Sequence, residues 1–349
     1  VKGRADYFKK MGGAMKAERW AQLAKEGGAE PLWGINVSTS SPEETRKFLL
    51  HLKSSELPAG KFELGNELYL SHWKNDIPTV QDYIDKAKAH AAEIKKVFPG
   101  ARIAVCVNPN DDRVNGPLVK AAPDKFKPAP LSEWNAALSK ENFFDTVVAH
   151  LYFKSEELQD LSKVTADEYA RWAIVRGSAF SVGEILDWPG RVFPGKEVWV
   201  TEWSLNNNTY KNAHKDQNYR FLSAHTVLDG LFTAYFALNA ASVKSNVTIA
   251  NYWQLNGGDV FGMISGQPPK ERPSLHVFRM LSPAIHECDR IAALTIPGAP
   301  RVRGPNKFEV MEAPAVTGFA FFSGNELRYL AFLNFTGEKY PIAMARDAA

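Results

Sequence analysis

Two glutamates offer the clearest chemistry in this chain. Glu67 closes the run Lys61-Phe62-Glu63-Leu64-Gly65-Asn66-Glu67, and Glu202 falls near the end of Val198-Trp199-Val200-Thr201-Glu202-Trp203. Both runs read as strands that open βα units, so each carboxyl is expected at the C-terminal edge of a parallel strand, where barrel active sites are built. Two carboxyl groups facing one cavity can cleave a glycosidic bond. One stays protonated to assist the leaving oxygen while the other stays ionised to attack the anomeric carbon. A single strand-end glutamate is usually just a solvated side chain. The pairing, with Asn66 beside one and Trp203 beside the other, is what points to chemistry.

Other side chains gather around this pair by strand alternation. Val148, His150 and Tyr152 share one face of their strand, so the last two can reach Glu202 and orient it; His150 can equally be a satisfied core histidine. Trp73, Trp203 and Tyr210 are expected in loops on the same rim, as outer sugar subsites or as ordinary packing. Glu63 lies on the side of Glu67 but deeper, where a bare carboxylate is costly, and is read as structural. Arg102 is one candidate partner for it. Lys154, Lys211 and Lys215 fall in candidate rim loops, and the Pro- and Asp-containing stretch from Asn108 to Asn142 is expected to form one wall of the cleft.

The elements that must hold these residues are legible as alternation. Runs at Pro31–Val37, Lys61–Glu67, Arg102–Asn108, Phe144–Phe153, Glu197–Trp203 and Val247–Trp253 are short, apolar and β-branched or aromatic, and read as six strands. Amphipathic stretches separate them. Ser41-Pro42-Glu43-Glu44 and Thr165-Ala166-Asp167-Glu168 are capping boxes that start helices. From Thr79 to Phe98, the residues Val80, Ile84, Ala87, Ala91, Ile94 and Phe98 form one helical stripe, closed by Pro99-Gly100. A helix from Ala14 to Glu26 precedes the first strand, and another from Pro273 to His286 follows the last. The pattern predicts an α/β fold: a (β/α)8 TIM-type barrel over residues 1–288, its first βα unit and second strand lying ahead of this sequence. A doubly wound open sheet is the alternative. After Asp289 the texture changes to short alternating runs (LTIPGA, KFEVMEA, VTGFAFF, LRYLAFLNF, YPIAMA), predicting a small antiparallel β-sandwich-like domain over residues 289–349.

Composition narrows the function classes. With 349 residues, a net charge of +3, 23% charged and 45% hydrophobic residues, the chain is an ordinary globular one with a sizeable core. The charge balance gives no footprint for nucleic acid. The longest uncharged apolar-rich stretch, Gly230 to Val243, is too short to span a membrane and reads as a buried helix. Two cysteines are too few for a disulfide framework, and Cys106 reads as a core residue. His286-Glu287-Cys288-Asp289 has no second pair nearby and is not read as a metal site. No phosphate loop, dinucleotide fingerprint, serine elbow or zincin motif occurs, which argues against a nucleotide-binding open sheet.

Gly65-Asn66-Glu67 resembles the acid/base signature on the fourth strand of clan A retaining glycoside hydrolases, and Thr201-Glu202-Trp203 their nucleophile on the seventh. The stretch from Phe62 into a long helix is similar to α-L-arabinofuranosidases, β-xylosidases and heparanase-like β-glucuronidases. His150-Leu151-Tyr152 is similar to a His/Tyr pair on the sixth strand of the heparanase-like enzymes, and Arg4-Ala5-Asp6-Tyr7 to the loop after their second. The resemblance implies retention at an equatorial glycosidic bond, with Glu67 as acid/base and Glu202 as nucleophile. It also implies that Asn66 and Asn36 contact the sugar and that Trp253 floors the subsite. Carboxyl groups about 5–5.5 Å apart would follow, with Glu67 harder to ionise beside the Glu202 charge. No metal or organic cofactor is called for. The expected partner is a poly- or oligosaccharide, with neither nucleic acid nor membrane. Secretion or a periplasmic location would suit such a substrate, and Asn-x-Ser/Thr sequons occur at Asn36, Asn207, Asn246 and Asn334. The rival reading is a carbohydrate-binding barrel that no longer catalyses; loss of one carboxylate would mark it, and both are present.

Overall fold

The computed structural model describes residues 16–108, 133–154, 165, 168, 171, 175, 183–206, 222–242, 245–255, 262–265, 268–303 and 312–343. Six strands form one parallel sheet in the order β1-β2-β3-β4-β5-β6: Leu32–Ile35, Lys61–Leu64, Arg102–Cys106, Thr146–Lys154, Glu197–Asn206 and Val247–Tyr252. Each falls within a run expected from the sequence or extends it. Trp33 aligns with Phe62 and Ile103, and Gly34 with Glu63 and Ala104. Helices alternate with the strands: α1 (Ala17–Glu26), α2 (Pro42–Ser54), α3 (Val80–Val97), α4 (Trp134–Leu138), α5 (Gly183–Val192), α6 (Leu222–Ala240) and α7 (Pro273–Glu287). The strand order never doubles back, as a doubly wound sheet must at its switch point. Right-handed crossovers that always step the same way place their helices on one face, which is the construction of a βα barrel. The fold is therefore of the TIM-barrel type.

The chain divides into two compact units, Val1–Ala149 with Pro189–Trp199 and His150–Trp188 with Val200–Ala349, so β4 and β5 each begin in the first and end in the second. In the first unit, local signals act as read. Ser41 Oγ accepts from Glu44 N at 3.2 Å and Glu44 Oε2 accepts from Ser41 N at 2.7 Å, closing the capping box that starts α2 at Pro42. Thr79 and Asp82 do the same for α3. Ile84, Ala87, Ala91 and Ile94 turn inward, and Tyr83 and His90 join them. Tyr83 is the knot of this core. Its hydroxyl donates to Leu64 O at 2.8 Å and accepts from Cys106 N at 3.1 Å, tying the ends of β2 and β3 to α3. Trp134 stacks on Tyr83 at 4.7 Å and donates to Cys106 O at 2.9 Å. Cys106 is a core residue, and burial pushes its thiol up to about 12. Glu63 is buried, as its layer implied, but Arg102 is given to Glu197 at 2.8 Å. Arg102 stands at the start of β3 and Glu197 at the start of β5, so the guanidinium clamps strand beginnings.

In the second unit, α6 and α7 carry the aromatic core. The Trp203 ring lies 4.2 Å from Phe236, 5.0 Å from Tyr252 and 6.0 Å from Phe278. Asp229 on α6 accepts from Ser274 N at 3.2 Å in the first turn of α7 and from the Tyr252 hydroxyl at 3.4 Å. A carboxylate from one helix thus caps the next. No described helix is long and apolar enough to cross a membrane. The C-terminal strands are antiparallel. β9 (Arg290–Leu294), β12 (Val316–Ser323) and β13 (Glu326–Asn334) form a sheet in the order β13-β12-β9, and β10 (Arg301–Arg303) pairs with β11 (Glu312–Pro314). Phe319, Phe321, Ile291 and Leu333 are buried. The Tyr235 ring of α6 meets Phe335 at 5.5 Å.

Three local expectations are corrected. The run LTIPGA is not itself a strand, because pairing ends at Leu294 where Pro297-Gly298 turns the chain. Tyr340–Ala343, the described part of YPIAMA, forms no strand. The sequence reading also missed a small hairpin, β7 (Ile264–Ser265) with β8 (Lys270–Glu271). Most of KFEVMEA lies outside the described residues.

Candidate active site

Glu67 is placed by a turn that its neighbours leave little choice over. β2 ends at Leu64, and Gly65 follows at φ 86°, its N–H donating to Ile35 O at 2.9 Å. A Cβ on Gly65 would sit 2.4 Å from Leu68 Cδ1 and 3.2 Å from Val37 Cγ2, so only glycine fits. Glu67 itself holds φ 49°, in the left-handed region. Glu56 shares that sign, but it sits in the turn that ends α2, where such a conformation is routine. Glu67 has no helix end to account for it, and strain of this kind concentrates at functional sites. Its carbonyl accepts from Leu70 N at 2.9 Å, leading into the short 3-10 turn Ser71–Trp73.

Glu67 is partly exposed and Asn66 exposed. Trp73 is partly buried, with the His72 ring 4.9 Å away. Asn36, exposed just past β1, has its amide committed locally. Nδ2 donates to Thr39 Oγ1 at 2.8 Å, while Oδ1 accepts from Ser38 Oγ at 2.9 Å and Thr39 N at 3.2 Å. It is the cap of its own turn.

Around Glu202 the second unit assembles a polar cluster. The Tyr152 hydroxyl donates to Glu202 Oε2 at 2.5 Å. His150, 6% exposed, brings Nδ1 to 3.5 Å from the same oxygen and Nε2 to 3.2 Å from Thr201 Oγ1. Strand alternation puts His150 and Tyr152 on one face of β4, and both side chains lie against the carboxylate. A phenol hydrogen bond to a carboxylate is charge-assisted, so it is stronger and more directional than a neutral one. Both contacts fall on Oε2.

Trp253 follows β6 directly, is 38% exposed, and donates its main-chain N–H to Trp203 O at 3.0 Å. Trp203 departs from expectation: it lies within β5, not in a loop, and is 1% exposed under the rings of α6 and α7. The expectations for Tyr210, Lys211, Lys215, Arg4–Tyr7, Asn207 and most of the wall between Asn108 and Asn142 fall outside the described residues, as does the side chain of Lys154. Thr201 is the polar contact that the sequence reading missed; its one signal was a hydroxyl next to Glu202.

Sequentially ordered parallel strands alternating with helices and a small antiparallel sheet define a βα-barrel protein, with Glu67 just past the end of β2 and Glu202 within β5, four residues short of its end at Asn206, not at the strand edge expected from the sequence. No family model matches this chain, and no curated protein does. Solved structures share its fold. A family 51 α-L-arabinofuranosidase from Bifidobacterium longum aligns with TM-score 0.65 at 14% identity, covering 89% of this chain and 65% of that one. A thermostable α-L-arabinofuranosidase from Thermotoga petrophila aligns with TM-score 0.54 at 16% identity, over 91% of this chain and 64% of that one. The α-L-arabinofuranosidase from Thermotoga maritima, in its arabinose complex, aligns with TM-score 0.54 at 15% identity, over 89% and 62%. The chain thus spans a little under two thirds of the length of these neighbours. The likeness is one of fold.

Proposed function

We propose that this protein is a retaining glycoside hydrolase that cleaves an equatorial bond in a poly- or oligosaccharide by double displacement. The observation that carries the reading is the convergence of Tyr152 and His150 on one oxygen of Glu202. A solvated structural glutamate has no need of a phenol donor and a buried imidazole beside one oxygen, whereas a nucleophile that must keep one rotamer does. In the first step Glu67 gives its proton to the glycosidic oxygen while Oε1 of Glu202 attacks the anomeric carbon. The glycosidic bond breaks and a glycosyl ester forms. In the second step Glu67, now a carboxylate, takes a proton from water, whose oxygen attacks the same carbon and frees Glu202. Such a scheme requires the two carboxyl groups about 5–5.5 Å apart.

Asn66, adjacent to the acid, would hold the hydroxyl beside the anomeric centre, and the exposed ring of Trp253 would floor the sugar. Trp73 and Asn36 remain candidates for the rim; Asn36 would have to give up its turn contacts to serve. No step calls for a metal or an organic cofactor. A polysaccharide of this kind places the work outside the cell or in the periplasm.

Aryl α-L-arabinofuranosides, β-xylosides and β-glucuronides are the probes of choice. One of them should be hydrolysed, with Glu202→Gln as the inactive control. A 2-deoxy-2-fluoro glycoside with an activated leaving group should add one glycosyl mass to the peptide bearing Glu202. Polysaccharide binding without hydrolysis by the wild type would instead favour a barrel that only binds carbohydrate.

A further inference from the structure

We propose that Thr201 is a positioning residue: its hydroxyl donates to Nε2 of His150 and so holds the imidazole with its proton on Nδ1, aimed at Oε2 of Glu202. This rests on the reading of Glu202 as the nucleophile and goes beyond it. His150 is buried against two successive residues of β5, with Nε2 3.2 Å from Thr201 Oγ1 and Nδ1 3.5 Å from Glu202 Oε2. A neutral imidazole carries one N–H, and which nitrogen bears it decides whether the carboxylate meets a donor or a lone pair. A carboxylate only accepts, so the favourable form has the proton on Nδ1, leaving Nε2 as an acceptor. Threonine supplies the matching donor. Because Thr201 is bonded to Glu202 through the main chain, the imidazole is clamped to the same step of strand as the carboxylate it serves. The arrangement also divides the work on Oε2. Tyr152 makes the short bond, and His150 lends a weaker, oriented N–H.

The variants Thr201→Val and Thr201→Ser test this. Valine keeps the branched shape of the strand residue and removes only the hydroxyl; serine keeps the hydroxyl. Nitrogen-15 NMR of histidine-labelled protein at about pH 8, above the ordinary imidazole range, reads the tautomer directly, with His150→Gln assigning the signal. The wild type and Thr201→Ser should show the proton on Nδ1, and Thr201→Val should show a mixture or the other form. On the aryl glycoside that the protein cleaves, Thr201→Val should lower kcat about five- to tenfold with KM nearly unchanged, and serine should restore most of it. A wild-type His150 protonated on Nε2 overturns the inference, even if the valine variant fails to fold. So does a folded Thr201→Val with unchanged tautomer and kcat. If Glu202→Gln were active while the tautomer moved as expected, the nucleophile reading would fall and the positioning of His150 by Thr201 would stand.

Discussion

The hydroxyl of Tyr152 lies 2.5 Å from Oε2 of Glu202, linking the face of β4 that carries His150 to the acidic side chain of β5. Hydrogen bonds to charged groups contribute about 1.5–3 kcal/mol, so Tyr152→Phe should lower kcat by roughly ten- to a hundredfold. The ring stays, so the thermal midpoint should hardly move. Steady-state kinetics beside a melting curve separates the two, and a loss below twofold would show that Glu202 does not depend on this phenol.

The proposed division of labour between the glutamates predicts opposite responses to leaving-group chemistry. Glu67→Gln should cripple hydrolysis of glycosides whose leaving group needs a proton, yet spare the first step for a dinitrophenyl glycoside, whose phenolate departs unaided. Glu202→Gln should abolish both. Equal losses of Glu67→Gln on both substrates, measured by burst kinetics, would refute the acid assignment.

Gly65 offers a test of the turn that presents Glu67. Gly195 has a similar φ of 75°, but a Cβ added there would meet nothing within 4 Å, whereas one on Gly65, at φ 86°, would meet Leu68 Cδ1 at 2.4 Å. Gly195→Ala should cost about 1–2 kcal/mol from backbone strain alone, and Gly65→Ala clearly more, from strain plus the clash. Urea unfolding of the two variants compares them; equal costs would mean that Leu68 yields freely.

Asp229 sets a pH dependence of stability. Burial pushes its carboxyl above the ordinary range, outweighing the hydrogen bond from Ser274 N that pulls it down. The folded protein then binds this proton more tightly than the unfolded chain. Its contribution is greatest below the unfolded value of about 3.9, falls as pH rises from there through the raised folded value, and is flat above it. Asp229→Asn should lose that fall. Urea midpoints across the acid range should converge or cross between wild type and variant; parallel curves would exclude the effect.

Much of the fold was legible because its causes are local. Ser41 with Glu44 and Thr79 with Asp82 satisfy helix ends within one turn, so their spacing is the interaction itself. The stripe of Ile84, Ala87, Ala91 and Ile94 follows from helical period and needs no partner to be recognised. Strand alternation likewise put His150 and Tyr152 on one face before any neighbour was known. The short, alternating C-terminal runs announced antiparallel pairing, but their limits did not follow. Strand ends depend on a partner chain, and Leu294 is the last residue of its strand to find one.

What the amino-acid order determined by itself was the alternation of elements, the helix starts and the place of Glu67 just past a strand; Glu202 was read as closing its strand, but β5 continues to Asn206. Tertiary structure decided the rest. Arg102 met Glu197 and not Glu63, because guanidinium reach is set by which strand beginnings lie together. Trp203 went under α6 and α7, because a large ring on a strand is claimed by the helices packed against it. Thr201 acquired its role only when β4 brought His150 alongside. Contacts between residues some fifty positions apart in the chain have no period to betray them; they exist once packing has chosen which faces meet.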